Sequence, residues 1–128
     1  CRQIGYILTL HKRRRWLPDI NSEQYNLQSA AERAAVNTVC QGSAADVAKA
    51  AMLKVERKVK EKWGTEWIPC VPILQIHDEI LFEVDPSELY AVRDIIKEAM
   101  ESVGNLSVPL QVQFRVGPAW GSLKEIEN

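Results

Sequence analysis

The 128-residue sequence predicts an α+β fold, a mainly antiparallel sheet packed on helices. Three observations lead there. The stretches 5–20 and 71–84 each pair extended apolar runs around a short polar tip, the pattern of hairpins. The stretches 27–40, 43–63 and 85–103 repeat apolar residues at helical spacing. Near the end, Leu110, Val112, Phe114 and Val116 alternate as in a half-buried strand.

Taken in order, "GYILTL" (5–10) and "WLPDI" (16–20) flank the basic tip "HKRRR" (11–15). Such a tip is either a solvated loop or a phosphate contact. A helix follows from Leu27 to Cys40, with Leu27, Ala31, Ala35 and Val39 as its apolar stripe. Gly42 is expected to break it. "SAAD" (43–46) reads as a capping box, Ser43 capping and Asp46 reaching back. The second helix buries Val47, Ala48, Ala51, Met52, Val55 and Val59 and ends at Gly64. Asp85-Pro86-Ser87-Glu88 is a helix start with a cap and an early proline. Leu89, Val92, Ile96, Ala99 and Val103 form the buried stripe of that third helix, and Gly104 closes it. After the last strand, "GPAWG" (117–121) ends the ordered region.

Composition narrows the functions. A hydrophobic share of 46% beside 26% charged residues suits a soluble core-forming domain, with no apolar run long enough for a membrane span. The net charge of −1 confines any nucleic-acid surface to a local patch. Cys1, Cys40 and Cys70 are odd in number and irregularly spaced, which argues for a reducing compartment. With two histidines and no CxxC, a zinc site is not expected.

The pair Asp78–Glu79 in "ILQIHDEILFEV" (73–84) sits between β-branched apolar runs. Strands 71–77 and 80–84 would place both acids at a hairpin tip. Adjacent carboxylates repel, and burial penalises their charge. A divalent cation removes both penalties, and Mg²⁺ prefers one or two carboxylates plus phosphate oxygens. The plainer alternative is a solvated acidic turn, with His77 an ordinary strand histidine.

Arg33, Asn37 and Gln41 lie at i, i+4, i+8, opposite the apolar stripe, and drift about 40° per step. They would offer donors in line over about 12 Å. In the DNA minor groove every correct pair presents acceptors at nearly constant positions, so such a row reads pair geometry without reading sequence. An ordinary polar helix face is the alternative.

These residues together resemble a known family. "AAERAAVNTVCQGSAADVAK" (30–49) followed by "LQIHDEILFEV" (74–84) is similar to the carboxy-terminal palm of family A DNA polymerases, the DNA polymerase I type. "GYILTLHKRRRWLPDI" (5–20) resembles the segment after that family's fingers helix, and "VPLQVQFRVGPAWG" (108–121) its last palm strand. The wording of "CQGSAAD" and "SLKEIEN" leans toward the eukaryotic theta or nu repair branch.

The resemblance implies residues 1–22 as the end of the fingers with a basic hairpin, and 23–128 as palm with the third catalytic motif. It implies Asp78 as a catalytic metal ligand and Glu79 as its less strictly required partner. His77 would approach the primer end. Arg33, Asn37 and Gln41 would contact the nascent duplex, and Arg13, Arg14 and Arg15 the template-primer. The chemistry would be nucleotidyl transfer with two Mg²⁺ ions. The partners would be primer-template DNA, a deoxynucleoside triphosphate and the remainder of a polymerase chain, with no membrane. The location would be intracellular, and nuclear for a theta- or nu-like protein.

The pattern is incomplete. His11-Lys12 stands where the family usually has Gly-Arg, which bears on the hairpin turn, and the connector 61–72 is short. The first palm motif with its own aspartate and the fingers helix that holds the triphosphate do not occur in these residues. The expectation is that the 128 residues alone do not polymerise and that several apolar faces lack cover. Competing readings are a non-catalytic nucleic-acid-binding module, a metal-dependent nuclease and a degenerate structural subunit.

Overall fold

The structure is a computed structural model, and it describes residues 1–103 and 106–126. The chain divides into two units, Cys1–Lys49 and Ala50–Asn128.

The first unit opens with β1 (Tyr6–Leu8) and β2 (Arg14–Trp16), paired antiparallel with Ile7 opposite Arg15. The loop Leu10–Lys12 closes the hairpin: Lys12 N–H donates to the Thr9 carbonyl at 3.0 Å, and Thr9 N–H to the Arg13 carbonyl at 2.9 Å. Lys12 sits at φ 65°. This is a tight turn followed by a left-handed residue, the usual three-residue hairpin loop. The backbone demand for a glycine-like residue therefore falls on Lys12, and His11 is spared it.

A 3₁₀ turn (Pro18–Asn21) leads into α1 (Tyr25–Asn37). Ala31 and Ala35 pack with Leu17 and Ile20 to form the small apolar core of this unit. The expected ends of the stripe, Leu27 and Val39, are exposed. The cause is geometric: strict four-residue steps turn 40° off line each time, so the buried face passes to Thr38 instead.

The chain does not break at Gly42. Residues Thr38–Gly42 form a π turn, and α2 (Ser43–Trp63) continues the helix directly. Ser43 is helical, at φ −71° and ψ −38°, so it caps nothing. Gly42 serves close approach instead: a Cβ there would stand 2.9 Å from Thr9 Cγ2 and 3.3 Å from Thr38 Cγ2.

The second unit contains the larger apolar core. Val55 and Val59 of α2 meet Cys70, Val92, Ile96 and Ala99, with Phe82, Val84 and Phe114 packed against them. Gly64, at φ 80°, ends α2 by donating its N–H to the Lys60 carbonyl at 2.9 Å. Strands β3 (Cys70–Ile76) and β4 (Glu79–Val84) pair antiparallel, with an irregularity between Pro72 and Leu74. Asp85 accepts from Ser87 N–H at 2.9 Å and opens α3 (Leu89–Glu101) through a 3₁₀ turn, as the sequence predicts. Val92, Ile96, Ala99 and Val103 are buried as expected, and Gly104 lies outside the described residues.

The last predicted strand is shorter: β5 covers Phe114–Val116. It pairs with β6 (Lys124–Ile126), a strand in what the sequence suggested was an unstructured tail. Every strand pairing among the described residues is antiparallel, carried by three two-stranded ribbons. Val71, Ile73 and Leu74 of β3 are exposed, as are Trp67 and Ile68 before it. Cover was expected to be missing from apolar faces of this kind.

Candidate nucleic-acid and metal site

The first unit carries the polar row. Arg33 and Asn37 on α1 and Gln41 in the π turn are all exposed. Arg33 donates to Ser29 Oγ at 2.7 Å. An open depression of about 320 Å³ lies beside Arg33 and Asn37, lined also by Glu32 and Val36. Arg2 pairs with Glu32 and offsets the one acid there.

The three arginines of the basic run have separate surroundings. Arg14 lies over the rings of Tyr6 (4.5 Å) and Trp16 (5.2 Å), a cation–π arrangement on the face of the hairpin. Arg15 donates to Thr38 Oγ1 at 3.2 Å. Arg13 uses two of its nitrogens at once: Nε donates to Asp46 Oδ1 at 2.8 Å and Nη2 to the Gly42 carbonyl at 3.0 Å.

Asp46 is 7% exposed, and its other oxygen, Oδ2, has no hydrogen-bond partner. The Thr9 hydroxyl, and then the Arg13 guanidinium, hold its carboxyl below the usual carboxylate range, while burial pushes the opposite way. So Asp46 does not reach back as a cap. It is the buried counter-charge of the hairpin. The signal for this was available: an acid on the packed face of a helix requires a cation, and the nearby basic run supplies one.

The second unit carries the acids, one residue out of the expected register. Ile76 pairs with Glu79, so the hairpin tip is His77–Asp78 and Glu79 is the first residue of β4. His77 takes φ 52°, the left-handed conformation such two-residue loops need at their first position. His77, Asp78 and Glu79 are all exposed. Burial of the acids, expected from their apolar flanks, is not found, because β3 leaves those flanks exposed. The Glu79 carboxylate accepts from Arg115 Nη2 on β5. Arg115 is a neutralising partner that the sequence reading missed, 36 residues away in the chain.

Among the described residues no group of three or more ligating side chains is close enough together to hold a metal ion. Asp78 and Glu79 still meet the lesser need of Mg²⁺, which binds through one or two carboxylates and takes its remaining ligands from phosphate and water. Cys70 is a core residue and no nucleophile: burial pushes its thiol up to about 11. No helix among the described residues is long and apolar enough to cross a membrane.

Comparison with known proteins gives a consistent result. The profile described as DNA polymerase family A matches residues 1–122. DNA polymerase I of Bacillus subtilis (strain 168) is 42% identical over 124 residues, which is 97% of this chain and 14% of that protein. DNA polymerase theta of Drosophila melanogaster is 40% identical over 129 residues, 98% of this chain and 6% of that protein. The solved POL domain of Pol1 from M. smegmatis, in complex with DNA primer-template and dNTP, superposes with a TM-score of 0.79 at 41% identity. The match covers 86% of this chain and 19% of that one. The chain thus spans a small part of the relatives it matches, and it belongs to DNA polymerase family A.

Proposed function

We propose that this chain forms the carboxy-terminal part of the catalytic domain of a DNA-directed DNA polymerase, with residues 1–22 closing the fingers and 23–128 belonging to the palm. What supports the reading most is the likeness, at 41% identity, to a polymerase domain described in complex with primer-template and dNTP.

In this reading Asp78 and Glu79 hold Mg²⁺, which when bound stabilises charge on the attacking and leaving oxygens of the nucleotidyl transfer. Asp78, at the exposed tip, is the principal ligand. Glu79, shared with Arg115, supports it. Arg33, Asn37 and Gln41 donate to purine N3 and pyrimidine O2 in the minor groove of the new duplex. His77, beside Asp78 in the turn, faces the primer end. The other aspartate and the triphosphate-binding helix come from the remainder of the polymerase.

The likeness is nearly even between a bacterial polymerase I at 42% and theta at 40%, so it favours neither branch, and a nuclear location belongs to the theta-like reading alone. A non-catalytic nucleic-acid-binding module has one observation in its favour, the compensation of Glu79 by Arg115 within the chain itself.

Primer extension by the polymerase carrying this chain separates the two. The enzyme reading expects template-directed addition with Mg²⁺ and none with a chelator. Duplex binding without any addition would leave only the binding module.

A further inference from the structure

We propose that Arg13 and Asp46 are positioning residues for the hydrogen-bonding row: they hold the π turn at 38–42, and the π turn brings Gln41 back toward the line of Arg33 and Asn37. The inference rests on the reading of that row as a minor-groove contact.

In an uninterrupted α-helix the row would not stay straight. Each four-residue step overshoots a full turn by about 40°, so Gln41 would stand about 80° away from Arg33. A turn closed by i→i+5 bonds takes more than four residues to complete. Across Thr38–Gly42 a four-residue step therefore stops overshooting, and the drift gained between Arg33 and Asn37 is taken back before Gln41.

A π turn is rare and needs support. Here the support comes from the hairpin. Arg13 donates to the carbonyl of Gly42, the last residue of the turn, and to Asp46 four residues further on. Arg15 donates to Thr38 Oγ1 at the other end of the turn, and Leu10 N–H donates to Ser43 Oγ at 2.9 Å. Thr38 Oγ1 itself donates back to the Ala34 carbonyl at 2.7 Å, a bond that competes with regular helical closure. Gly42 permits all of this by leaving room for Thr9.

The basic run is therefore not simply a phosphate-binding patch. A buried carboxylate without its cation is costly, so Arg13 is committed to Asp46 and is not free to leave for a phosphate.

The test is Arg13→Lys in the polymerase carrying this chain. Lysine keeps the charge but cannot bridge Asp46 and the Gly42 carbonyl with a rigid fork. The ratio of matched to mismatched primer extension should fall clearly, by up to about 10²-fold, the scale of a 1 Å misplacement. Duplex affinity should stay unchanged. In a Gln41→Ala background the same change should add nothing, because both act through one side chain. Asp46→Asn, nearly isosteric, should reproduce the loss and serves as the second variant should Arg13→Lys fold poorly. An unchanged ratio in either folded variant would overturn the proposal. So would a loss that multiplies with that of Gln41→Ala, or tighter duplex binding by Asp46→Asn through a released Arg13. A wild-type enzyme that extends no primer at all would instead overturn the polymerase reading, so the two failures are distinguishable.

Discussion

The two units hold their charges in opposite ways. Residues 1–49 contain seven basic and four acidic side chains, and residues 50–128 contain nine and thirteen. A net charge of −1 for the whole chain conceals this division. In the first unit the apolar core is small, and a polar network does much of the holding: Arg13 and Arg15 bond the π turn, and Asp46 is buried beneath them. In the second unit an apolar core holds α2, α3 and β4 together, and Asp78 stands at an exposed hairpin tip with Glu79 beside it at the start of β4. The difference decides where charge is available. Part of the basic run is engaged internally, whereas Asp78 has no hydrogen-bond or ion-pair partner among the described residues.

That contrast can be broken at several points. The largest effect is expected at the exposed tip. In the polymerase, Asp78→Ala should slow nucleotide addition by at least roughly 10²–10³-fold, the scale of losing a preorganised charge-stabilising group. Its affinity for duplex DNA should stay near wild type. Parallel measurement of single-turnover rates and binding checks both.

In the first unit, Gly42→Ala should destabilise by about 1–3 kcal/mol. Its new methyl would meet Thr9 Cγ2 at 2.9 Å and force the hairpin off the helix. Denaturant unfolding reads this directly, and no change would mean that the hairpin does not pack so closely.

Asp46 predicts the sign of a pH effect. Its folded pKa lies below the ordinary 3.8, so the stability it contributes is complete above that value. That stability is lost as pH falls from 3.8 through the depressed folded value. The difference in thermal stability between wild type and Asp46→Asn should therefore shrink on acidification through this window and nowhere above it. A difference that grows at low pH would contradict the pairing. The smallest effect is at the hairpin tip: Lys12→Gly should stabilise by about 1 kcal/mol by relieving a left-handed backbone at φ 65°.

Much of this was legible in the sequence. The start of α3 at Asp85-Pro86 and its buried stripe of Val92, Ile96 and Ala99 were written in local spacing. Both hairpins were found as well. The π turn was not, because glycine in a helical pattern ordinarily signals a stop, and only the proximity of Thr9 reveals its other use. The tip of the second hairpin was misread by one residue because two adjacent acids look like a turn, while the left-handed position falls on His77. β6 escaped because three residues in a charged tail carry no periodic signal. For the site, the polar row could be read from i+4 spacing. For Arg13–Asp46 the sequence signals only that an acid on a packed helix face needs a cation, not which residue 33 positions away supplies it, and Glu79–Arg115, 36 residues apart, carries no such signal at all.

The metal offers the most direct test. Binding of Mn²⁺ to the polymerase with primer-template, followed by water-proton relaxation, would compare wild type, Asp78→Asn and Glu79→Gln. Loss of the main carboxylate ligand should weaken at least one class of bound ion by roughly tenfold or more, since even removing a hydrogen-bonding partner of a metal ligand typically costs about 10–100-fold. Glu79→Gln should cost less, since Arg115 already shares that carboxylate. Equal Mn²⁺ affinity in wild type and Asp78→Asn would contradict the claim that this acidic turn exists to hold a divalent cation.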